Sequence, residues 1–521
     1  MSERMRLRRE AHFGNRVIRC FAERPASVVA KLMETFARHS EREAVVDGYR
    51  RLTYGQLDAR IAAAAGLLQA RGLRAGDRLG VVVPNRAEFV ITVLAIMRLG
   101  AIPVPMNVRE AAPEIGFILD DCSASGLIYD PACDAADRVA GTLGTSSWSL
   151  TIGEIWEAPA AGAAWDAPAQ LDEDATACIV YTSGTTGRPK GAMLSGLGVL
   201  HSMLHYEAHL GLTCEDTALL VVPATHITGL IGLVMAALGV GAKLVMMEQF
   251  NTAEFVRIAA VEAMSYTILV PAMYNLLLLR EDLSAHALSH WRIGAYGGAV
   301  MPVASIAKLA QLLPGLNLVN AYGATETTSP TTLMPLGAEP ALFDTIGKPV
   351  ACAEVLIMDD DGRECPLGKI GELWIRGPMV VPGYWNRPVE NAKDFTAGYW
   401  HSGDIGEVTP EGYLRIHDRR KDLVNRGGYK IFSAEVEHVL MAHPDVIEAA
   451  VVGRPDPVLG ERVHAFIVAE RQGLSSETLR AFCARELADY KVPETFTLTS
   501  AALPRNANGK ILKRQLKEML S

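Results

Sequence analysis

The sequence lacks the closely spaced cysteines that mark zinc sites and redox motifs. Its eight cysteines are scattered along the chain, at Cys20, Cys122, Cys133, Cys178, Cys214, Cys352, Cys365 and Cys483. Isolated cysteines of this kind are typical of reduced, mostly buried thiols. The cysteine pattern therefore predicts a cytoplasmic protein without disulfides.

No apolar run in the sequence is long enough to predict a transmembrane helix. The longest, residues 229–242, ends at Lys243 and falls short of the roughly 20 residues that a span needs, so it predicts a buried core helix. The N-terminal arginines at positions 4, 6, 8 and 9 are not followed by the apolar core of a secretory signal. They predict a solvated tail, with a peripheral membrane contact as the alternative.

An excess of positive charge is also missing. The chain has 50 Lys and Arg against 59 Asp and Glu, a formal net charge of -9, whereas nucleic-acid binders are more often basic. Hydrophobic residues make up 49% of its 521 residues, so it can build large cores and exceeds one ordinary domain. The composition favours a multidomain globular protein, leaves a homodimer open and argues against a nucleic-acid partner.

Apolar strands alternate with helices through the first two thirds of the chain, which predicts parallel sheets covered by helices. From Gly347 the segments shorten and alternate, as in a small β-rich subdomain, and Asp359 to Gly362 carry a hairpin turn signal. The charged run 417–422 predicts a solvated loop and a boundary. We therefore expect an α/β fold: a large N-terminal domain, residues 1–418, with a β-rich subdomain, and a small α+β C-terminal domain, residues 419–521.

Glycines, hydroxyls and a lysine follow a predicted buried strand at residues 177–180. The segment reads Tyr-Thr-Ser-Gly-Thr-Thr-Gly-Arg-Pro-Lys-Gly, residues 181–191. Glycines bring backbone N–H groups close to a ligand, and lysine adds a point charge for phosphate oxygens. The Walker pattern needs Ser or Thr directly after Gly-Lys, which this segment does not have. The segment predicts a polyphosphate-binding loop of another kind.

This segment resembles the signature of the adenylate-forming superfamily, which includes acyl- and aryl-CoA synthetases. Further motifs recur in the order of that family, among them Tyr322-Gly323-Ala324-Thr325-Glu326. The resemblance implies an aromatic ring stacked on adenine at Tyr322, a Mg²⁺ ligand at Glu326 and a second one at Thr185. It implies ATP and AMP contacts at Thr182, Ser183, Gly184, Thr185, Thr186, Gly187, Lys190, Gly297, Gly298, Ala299, Asn320, Ala321, Tyr322, Gly323 and Thr325.

Motifs in the last third of the chain extend the resemblance. His401-Ser402-Gly403-Asp404 implies a ribose contact at Asp404, with Ser402 where threonine is commoner, and Arg419 stands at a second ribose position. The segment Pro504 to Ile511 resembles the motif of the catalytic lysine, here Lys510, with Asn506 in place of the usual threonine. Lys421 falls at the hinge of the family. The strand that lines the coenzyme A tunnel is matched by Gly427, Gly428, Tyr429 and Lys430.

The function implied is ATP-dependent ligation of a carboxylic acid to coenzyme A through an acyl-adenylate, with Mg²⁺. Adenylation domains of peptide synthetases in this superfamily carry an aspartate near residue 225. Because Thr225 to Thr228 contain no acidic residue, the resemblance disfavours an amino-acid substrate. Gly323 has no side chain to close the acyl pocket, and His226 is implied at its mouth, so a medium- or long-chain fatty acid or an aryl acid is expected. Loading of a carrier protein and luciferase-like chemistry stay open, and a non-enzymatic scaffold would need lost motifs.

Opposite effects on the two half-reactions are expected from changes at Lys510 and Lys421. Lys510→Ala should slow adenylation about 10²–10³-fold, because one donor to a developing anion is worth that much. It should leave thioester formation from supplied octanoyl-adenylate intact. Lys421→Pro should do the reverse, because proline fixes φ and stiffens the hinge. ATP–pyrophosphate exchange and thioester formation measure the two steps, and equal losses in both steps would contradict the assignments.

Overall fold

The computed structural model describes residues 6–48, 50–143, 147–159, 172–182, 188–299, 301–469, 474–505 and 511–520. Its described part is a mixed α/β fold with parallel sheets, which confirms the predicted fold class. By contact the chain divides into two compact units. The first comprises Met1–Met301, Ser305–Val355 and Ile375–Trp400, and the second comprises Pro302–Ala304, Leu356–Trp374 and His401–Ser521. The predicted division at residue 418 stays a prediction, since contacts in one conformation do not show which residues turn.

A nine-stranded sheet forms the centre of the first unit. Its strands, in spatial order, are Lys348–Pro349, Thr332–Leu333, Asn317–Tyr322, Ile293–Tyr296, Tyr266–Leu269, Thr217–Leu220, Lys243–Met246, Glu43–Asp47 and Arg50–Thr53. The six strands from Asn317–Tyr322 to Glu43–Asp47 run parallel. Their interior residues are almost all buried, as expected of a parallel sheet covered on both faces.

Besides the N-terminal hairpin described below, two smaller sheets belong to this unit before residue 350. One is parallel, in the order Ile102–Pro105, Arg78–Val82, Gly126–Tyr129, Trp148–Thr151. Leu79, Val81 and Val104 in it are buried, as the apolar runs predicted. The other is the antiparallel pair Thr176–Thr182 and Lys190–Ser195, which encloses the predicted phosphate loop.

The helices of the first unit alternate with its strands, as predicted. At the start of the helix Tyr54–Ala70, Thr53 and Gln56 exchange hydrogen bonds between side chain and backbone, a capping box. The helices are Val28–Arg38, Tyr54–Ala70, Ala87–Arg98, Ala112–Asp121, Asp134–Ala140, Ile152–Trp156, Gly196–Leu210, Ala236–Val240, Thr252–Val261, Pro271–Arg280, Val303–Leu312 and Pro388–Asp394. Among the described residues, no helix has the length and apolarity that crossing a membrane requires.

The apolar run 229–242 is helical and buried, as predicted, but its first half is a π-helix, Thr228–Met235. Glycines allow its close packing: a Cβ on Gly232 would lie 2.6 Å from Ile268 Cδ1, and one on Gly229 would lie 2.3 Å from the carbonyl oxygen of Pro223. The Tyr266 hydroxyl donates to the carbonyl of Gly232 at 2.7 Å. Wider helical turns of this kind often occur at functional sites.

The N-terminal segment forms a hairpin instead of a loose tail, although Arg6, Arg8 and Arg9 are exposed to solvent, as predicted. Leu7–His12 pairs antiparallel with Arg16–Phe21, and the resulting hairpin is held by charges. Arg24 donates to both carboxylate oxygens of Glu10 at 2.8 Å and to Glu173 at 2.7 and 2.8 Å. These contacts join residues far apart in the sequence, so composition alone could not reveal them. The possible ligand atoms of Glu10, His12 and Cys20 lie close enough together to bind a metal ion. The Glu10 carboxylate, however, is already bound by Arg8 and Arg24, so we assign no metal site here.

The β-rich segment is confirmed as an antiparallel sheet. Its order is Glu354–Met358, Gly371–Arg376, Tyr399–Val408 and Phe395–Thr396, and Leu414–Arg419 pairs with Tyr399–Val408. The predicted turn is present, since Gly362 N donates to the carbonyl of Asp359 at 3.1 Å and has φ 75°. The charged run is only partly a solvated loop: Asp418 lies within the strand Leu414–Arg419, is buried and accepts hydrogen bonds from the backbone N–H groups of Arg419 and Ser433.

The second unit ends in a small α+β segment, as predicted. Its sheet has the order Tyr429–Ile431, Val424–Arg426, Gly460–Ala469, Val446–Asp456, with Thr495–Thr499 parallel to Gly460–Ala469. The helices are Ser433–Met441, Ser476–Glu486 and Lys513–Glu518. Val436, Leu440, Val451 and Ile467 are among the fully buried residues of its core.

A buried histidine should make the protein sensitive to acid. His205 is fully buried on helix Gly196–Leu210, between the rings of His201 and His209, and neither ring nitrogen has a hydrogen-bond partner among the described residues. Burial holds its pKa well below the ordinary 6.5, so unfolding takes up a proton and stability falls as pH falls below 6.5. His205→Leu should reduce the loss of stability between pH 7 and 5, by at most about 2 kcal/mol, the limit for one imidazole that titrates only in the unfolded chain.

Thermal melting at both pH values measures this effect, with the exposed His290 changed to Gln as control. The variant should melt at a higher temperature than the wild type at pH 5. An unchanged difference between the two pH values in His205→Leu would show that this imidazole does not control acid stability.

Candidate functional site

The antiparallel pair of strands fixes both ends of the predicted phosphate loop. Thr182 lies opposite Lys190 in its register, and the Thr182 hydroxyl donates to the carbonyl of Lys190 at 3.4 Å. The remaining predicted loop residues lie outside the described residues: Ser183, Gly184, Thr185, Thr186 and Gly187. The roles predicted for them, including the metal contact of Thr185, stay predictions.

Lys190 lies at the start of the second strand with its ammonium nearly buried. Its side chain is 11% exposed, and its Nζ is 3.0 Å from the Asp394 carboxylate. The same Nζ lies 4.7 Å from the centre of the Tyr384 ring, within cation–π range. The lysine predicted to bind phosphate is therefore held by a carboxylate and an aromatic face.

Glu326 lies on the short 3₁₀ helix Thr325–Thr327, directly after the strand Asn317–Tyr322. Its Oε1 accepts a hydrogen bond from the Tyr384 hydroxyl at 2.9 Å, and its carbonyl accepts one from Val381 N at 2.9 Å. Burial and the Glu326 charge raise the pKa of Tyr384 above its ordinary value, so the phenol is a donor. Tyr384 therefore contacts both Glu326 and Lys190.

Tyr384 and Asp394 were missed by the sequence analysis. Tyr384 follows a proline and a glycine and precedes a tryptophan, a pattern that burial alone would explain. Asp394 ends the helix Pro388–Asp394, where a lone carboxylate is usually exposed. Only their contacts show that these two residues belong to the candidate site: Tyr384 contacts Glu326 and Lys190, and Asp394 contacts Lys190.

A second missed contact is made by Tyr181, the residue before Thr182 in the strand that enters the phosphate loop. The Tyr181 hydroxyl donates to Asp121 at 2.7 Å, and Arg387 donates to the other oxygen of the same carboxylate at 2.5 Å. Burial and this hydrogen bond raise the pKa of Tyr181. Asp121 thus joins the strand that enters the loop to the segment that follows Tyr384.

Two predicted adenine segments lie side by side at the carboxyl ends of neighbouring parallel strands. Tyr296 pairs with Asn320, so Gly297 to Ala299 and Asn320 to Gly323 follow at the same edge of the sheet. A Cβ on Gly297 would lie 2.5 Å from the carbonyl oxygen of Ala321, which leaves room only for glycine. Gly298 has φ 79°. The structure therefore brings together these two predicted segments, including Tyr322.

The residues predicted for the acyl pocket are less open than the sequence suggested. A Cβ on Gly323 would meet the backbone of Ser329 to Thr331 at 3.3 to 3.4 Å, so this glycine also serves packing. His226 is half-buried at the start of the π-helix, and its Nδ1 accepts a hydrogen bond from Thr228 N at 3.4 Å. Its carbonyl accepts the first helical hydrogen bond, from Leu230 N at 2.8 Å.

In the second unit, the two predicted ribose residues lie together. Asp404 pairs with Arg419 across neighbouring strands, and Arg419 Nε lies 2.9 Å from Asp404 Oδ1. Ser402, which stands where threonine is commoner, supports this strand, because its hydroxyl donates to the carbonyl of Leu373 at 2.7 Å and accepts from Asp404 N at 3.0 Å. A serine hydroxyl is sufficient for both bonds.

Gly427 and Gly428, predicted on the coenzyme A strand, form the tight turn between the strands Val424–Arg426 and Tyr429–Ile431. Their φ angles are 59° and 92°, as a two-residue hairpin turn requires. Tyr429 is exposed and its ring stacks on Tyr490 at 4.7 Å, while Lys430 forms an ion pair with Asp360 at 2.9 Å. Because the two residues are consecutive on one strand, their side chains point to opposite faces of the hairpin.

The predicted catalytic Lys510 lies outside the described residues, but the base of its loop is described. Leu512 N donates to the carbonyl of Pro504 at 2.8 Å. Just after the loop, Lys513 forms a buried ion pair with Glu437 at 2.6 Å and donates to the Ser433 hydroxyl at 2.8 Å. The predicted hinge residue Lys421 is exposed in the turn after the strand Leu414–Arg419.

Comparison with known proteins matches the chain to two family models. One, described as AMP-binding enzyme, covers residues 32–385, and the other, described as AMP-binding enzyme C-terminal domain, covers residues 435–510. The chain is 33% identical to a long-chain-fatty-acid–CoA ligase of Mycobacterium tuberculosis, over 90% of this chain and 93% of the relative. It is 33% identical to a feruloyl-CoA synthase of Amycolatopsis sp, over 91% and 95%.

The fold also matches a solved structure. An o-succinylbenzoate–CoA synthetase of Bacillus subtilis, crystallised with ATP and a magnesium ion, has a TM-score of 0.84 and 30% identity. The match covers 94% of this chain and 99% of that chain. A structure of the same enzyme with its acyl-adenylate intermediate matches with the same TM-score.

The close contact at Gly297 gives a test of the site. Gly297→Ala places a methyl group 2.5 Å from a backbone oxygen, so the neighbouring segment must shift at a cost of roughly 1–3 kcal/mol. We expect a lower melting temperature and weaker ATP binding, measured by titration calorimetry. Gly315→Ala is the control, because a Cβ there meets nothing within 4 Å. Unchanged ATP affinity in Gly297→Ala would exclude this segment from the nucleotide site.

Proposed function

The chain belongs to the AMP-binding enzyme family, and on that premise we propose that it joins a carboxylic acid to coenzyme A through an acyl-adenylate, at the expense of ATP. The observation that carries this proposal is that Glu326 and Lys190 both contact the side chain of Tyr384. A carboxylate for a hard cation and an ammonium for phosphate oxygens are the two charges that a metal–nucleotide site needs.

In the first step, the substrate carboxylate attacks the α-phosphorus of ATP, and pyrophosphate leaves. Positioning and neutralisation of charge dominate such a step. Lys190 and the loop hydroxyls beginning at Thr182 would bind the phosphates, and Lys510 would stabilise the developing charge. Mg²⁺ is bound in proteins by one or two carboxylates plus substrate phosphates, which fits a lone Glu326, and it would neutralise phosphate charge there.

The adenine contacts are assigned to the two adjoining glycine-containing segments, and the ribose contacts to the carboxylate–guanidinium pair. Tyr322 offers its ring to adenine, and Gly297 to Ala299 lie beside the backbone of Ala321. Asp404 offers acceptor atoms suited to a ribose diol, while Arg419 fixes one of its oxygens. These roles are proposed residue by residue, from the motifs that this chain shares with the family.

In the second step, the thiol of coenzyme A attacks the acyl carbon and AMP leaves. We assign the pantetheine contact to the hairpin from Gly427 to Lys430 and the turning point to Lys421. The exposed Tyr429 and the lysine that follows it suit a ligand with an apolar arm and phosphates. ATP and coenzyme A as co-substrates fit the predicted cytoplasmic location, and that location and the homodimer stay predictions.

The acid is proposed to be a medium- or long-chain fatty acid or an aryl acid. The relatives named above act, by their names, on long-chain fatty, feruloyl and o-succinylbenzoyl groups. In this chain, the residues of the π-helix from Gly229 to Met235 are buried and uncharged. An uncharged wall favours an apolar acyl group, because each buried CH₂ contributes about 0.8 kcal/mol.

AMP release with acetate, octanoate and benzoate tests both the reaction and the acid. Octanoate and benzoate should exceed acetate in kcat/KM, with coenzyme A as acceptor and ATP–pyrophosphate exchange for each active acid. Replacement of coenzyme A by a carrier protein separates the two acceptors. No exchange with any acid would contradict the proposed function, and acetate as the best acid would contradict the open pocket.

Gly323→Trp should shift the preference towards short acids, since a large side chain would fill the space beside the adenine segment. Gly323→Ala is the matched control, because its Cβ already meets backbone at 3.3 Å and reports the packing cost alone. A uniform loss for all acids in both variants would show that Gly323 serves only backbone packing.

A further inference from the structure

One tyrosine contacts two charged residues that the proposed function needs. The Tyr384 side chain is nearly buried, with 4% of the residue exposed. Its hydroxyl donates to Glu326 Oε1, and its ring lies beside the Lys190 ammonium. Glu326 and Lys190 are therefore arranged around a common side chain, although 136 positions separate them in the sequence.

Tyr384 is itself held rigidly. Its backbone N–H donates to Asn391 Oδ1 at 2.7 Å, and Asn391 Nδ2 donates back to its carbonyl at 3.0 Å. An isolated bridge pairs Tyr384 with Ala192, and Trp385 N donates to the carbonyl of Gly191 at 2.8 Å. The segment thus pairs alongside the strand Lys190–Ser195, so the distance from the ring to the lysine is set by backbone pairing.

A buried arginine, Arg16, holds the turn that leads into Tyr384. Arg16 donates to the carbonyls of Val380, Val381 and Pro382 at 3.0 to 3.3 Å. Burial lowers the pKa of Arg16 to about 10, which still leaves it charged at neutral pH. Because Val381 N donates to the Glu326 backbone, the same turn holds Glu326 through both its main chain and its side chain.

We propose that Tyr384 is a positioning residue for the metal–nucleotide complex, its hydroxyl orienting the Glu326 carboxylate and its ring seating the Lys190 ammonium. This inference rests on the proposed function. The hydroxyl occupies one carboxylate oxygen and fixes the rotation of the group, which favours one orientation towards a cation. The ring and Asp394 together hold the Lys190 ammonium, and the contact with the ring face uses none of its N–H groups as a hydrogen-bond donor.

Two substitutions of Tyr384 test its two contacts separately. Tyr384→Phe removes the hydroxyl and keeps the ring, so only the Glu326 contact is lost. Tyr384→Leu removes both. Tyr129→Phe is the matched control, because the Tyr129 hydroxyl also donates to a carboxylate, Asp137, at 3.2 Å, away from these residues.

Titration calorimetry of ATP, once with Mg²⁺ and once with EDTA, reads out binding without turnover. Tyr384→Phe should weaken ATP binding about tenfold with Mg²⁺ and leave it unchanged in EDTA, because a hydrogen bond to a charged group is worth about that factor. Tyr384→Leu should weaken binding in both conditions. Tyr384→Phe should also raise the Mg²⁺ concentration needed for half-maximal exchange, without changing KM for the acid.

Equal loss in Mg²⁺ and EDTA for Tyr384→Phe, or no loss in either, would overturn the proposal. So would the same response in Tyr129→Phe, which would show a general effect of removing a buried hydroxyl. Failure of the wild-type protein to bind ATP would instead overturn the proposed function, and the inference with it. Melting temperatures of all variants identify any that fail to fold, and Tyr384→Phe, which keeps the ring, is the variant that decides.

Discussion

The arrangement of opposite charges around Tyr384 is the constraint on which the candidate site depends. A carboxylate and an ammonium at low exposure each lose hydration, and each needs a partner. Here the phenol donates to Glu326, and Asp394 together with the ring face accommodates Lys190. The partners come from one short segment and the helix after it, so their positions are correlated. A shift of that segment would disturb both charges at once.

That segment is stabilised by elements that do not themselves carry predicted site residues. The N-terminal hairpin supplies Arg16, whose guanidinium binds three consecutive carbonyls. Asp121, at the end of helix Ala112–Asp121, binds both Arg387 and Tyr181, and so connects the same region to the strand that enters the phosphate loop. The site is thus supported on both sides by buried or half-buried hydrogen bonds to charged groups, which are among the stronger contacts of their kind.

Glycine has two distinct roles at the strand ends. At Gly297 the carbonyl of Ala321 excludes any side chain, whereas Gly298 is required for its positive φ. For Gly323 there are two explanations: a Cβ would contact the backbone of Ser329 to Thr331, and the proposed open acyl pocket also requires a residue without a side chain. Sequence similarity to ligases of fatty, feruloyl and o-succinylbenzoyl groups shows that one scaffold accepts acids of very different shape.

The sequence by itself determined the alternation of strands and helices, the buried strand before the phosphate loop and the motifs that name the family. These features are local: hydrophobic periodicity and glycine-rich segments depend on neighbours a few residues away. Only the tertiary structure decided that Tyr384, Asp394 and Arg16 belong with Glu326 and Lys190. Their contacts span 58, 204 and up to 366 residues, and no local pattern distinguishes such residues from ordinary buried or exposed ones. The N-terminal hairpin was missed for the same reason, because Arg24 and Glu173, which hold it, lie 149 residues apart in the chain.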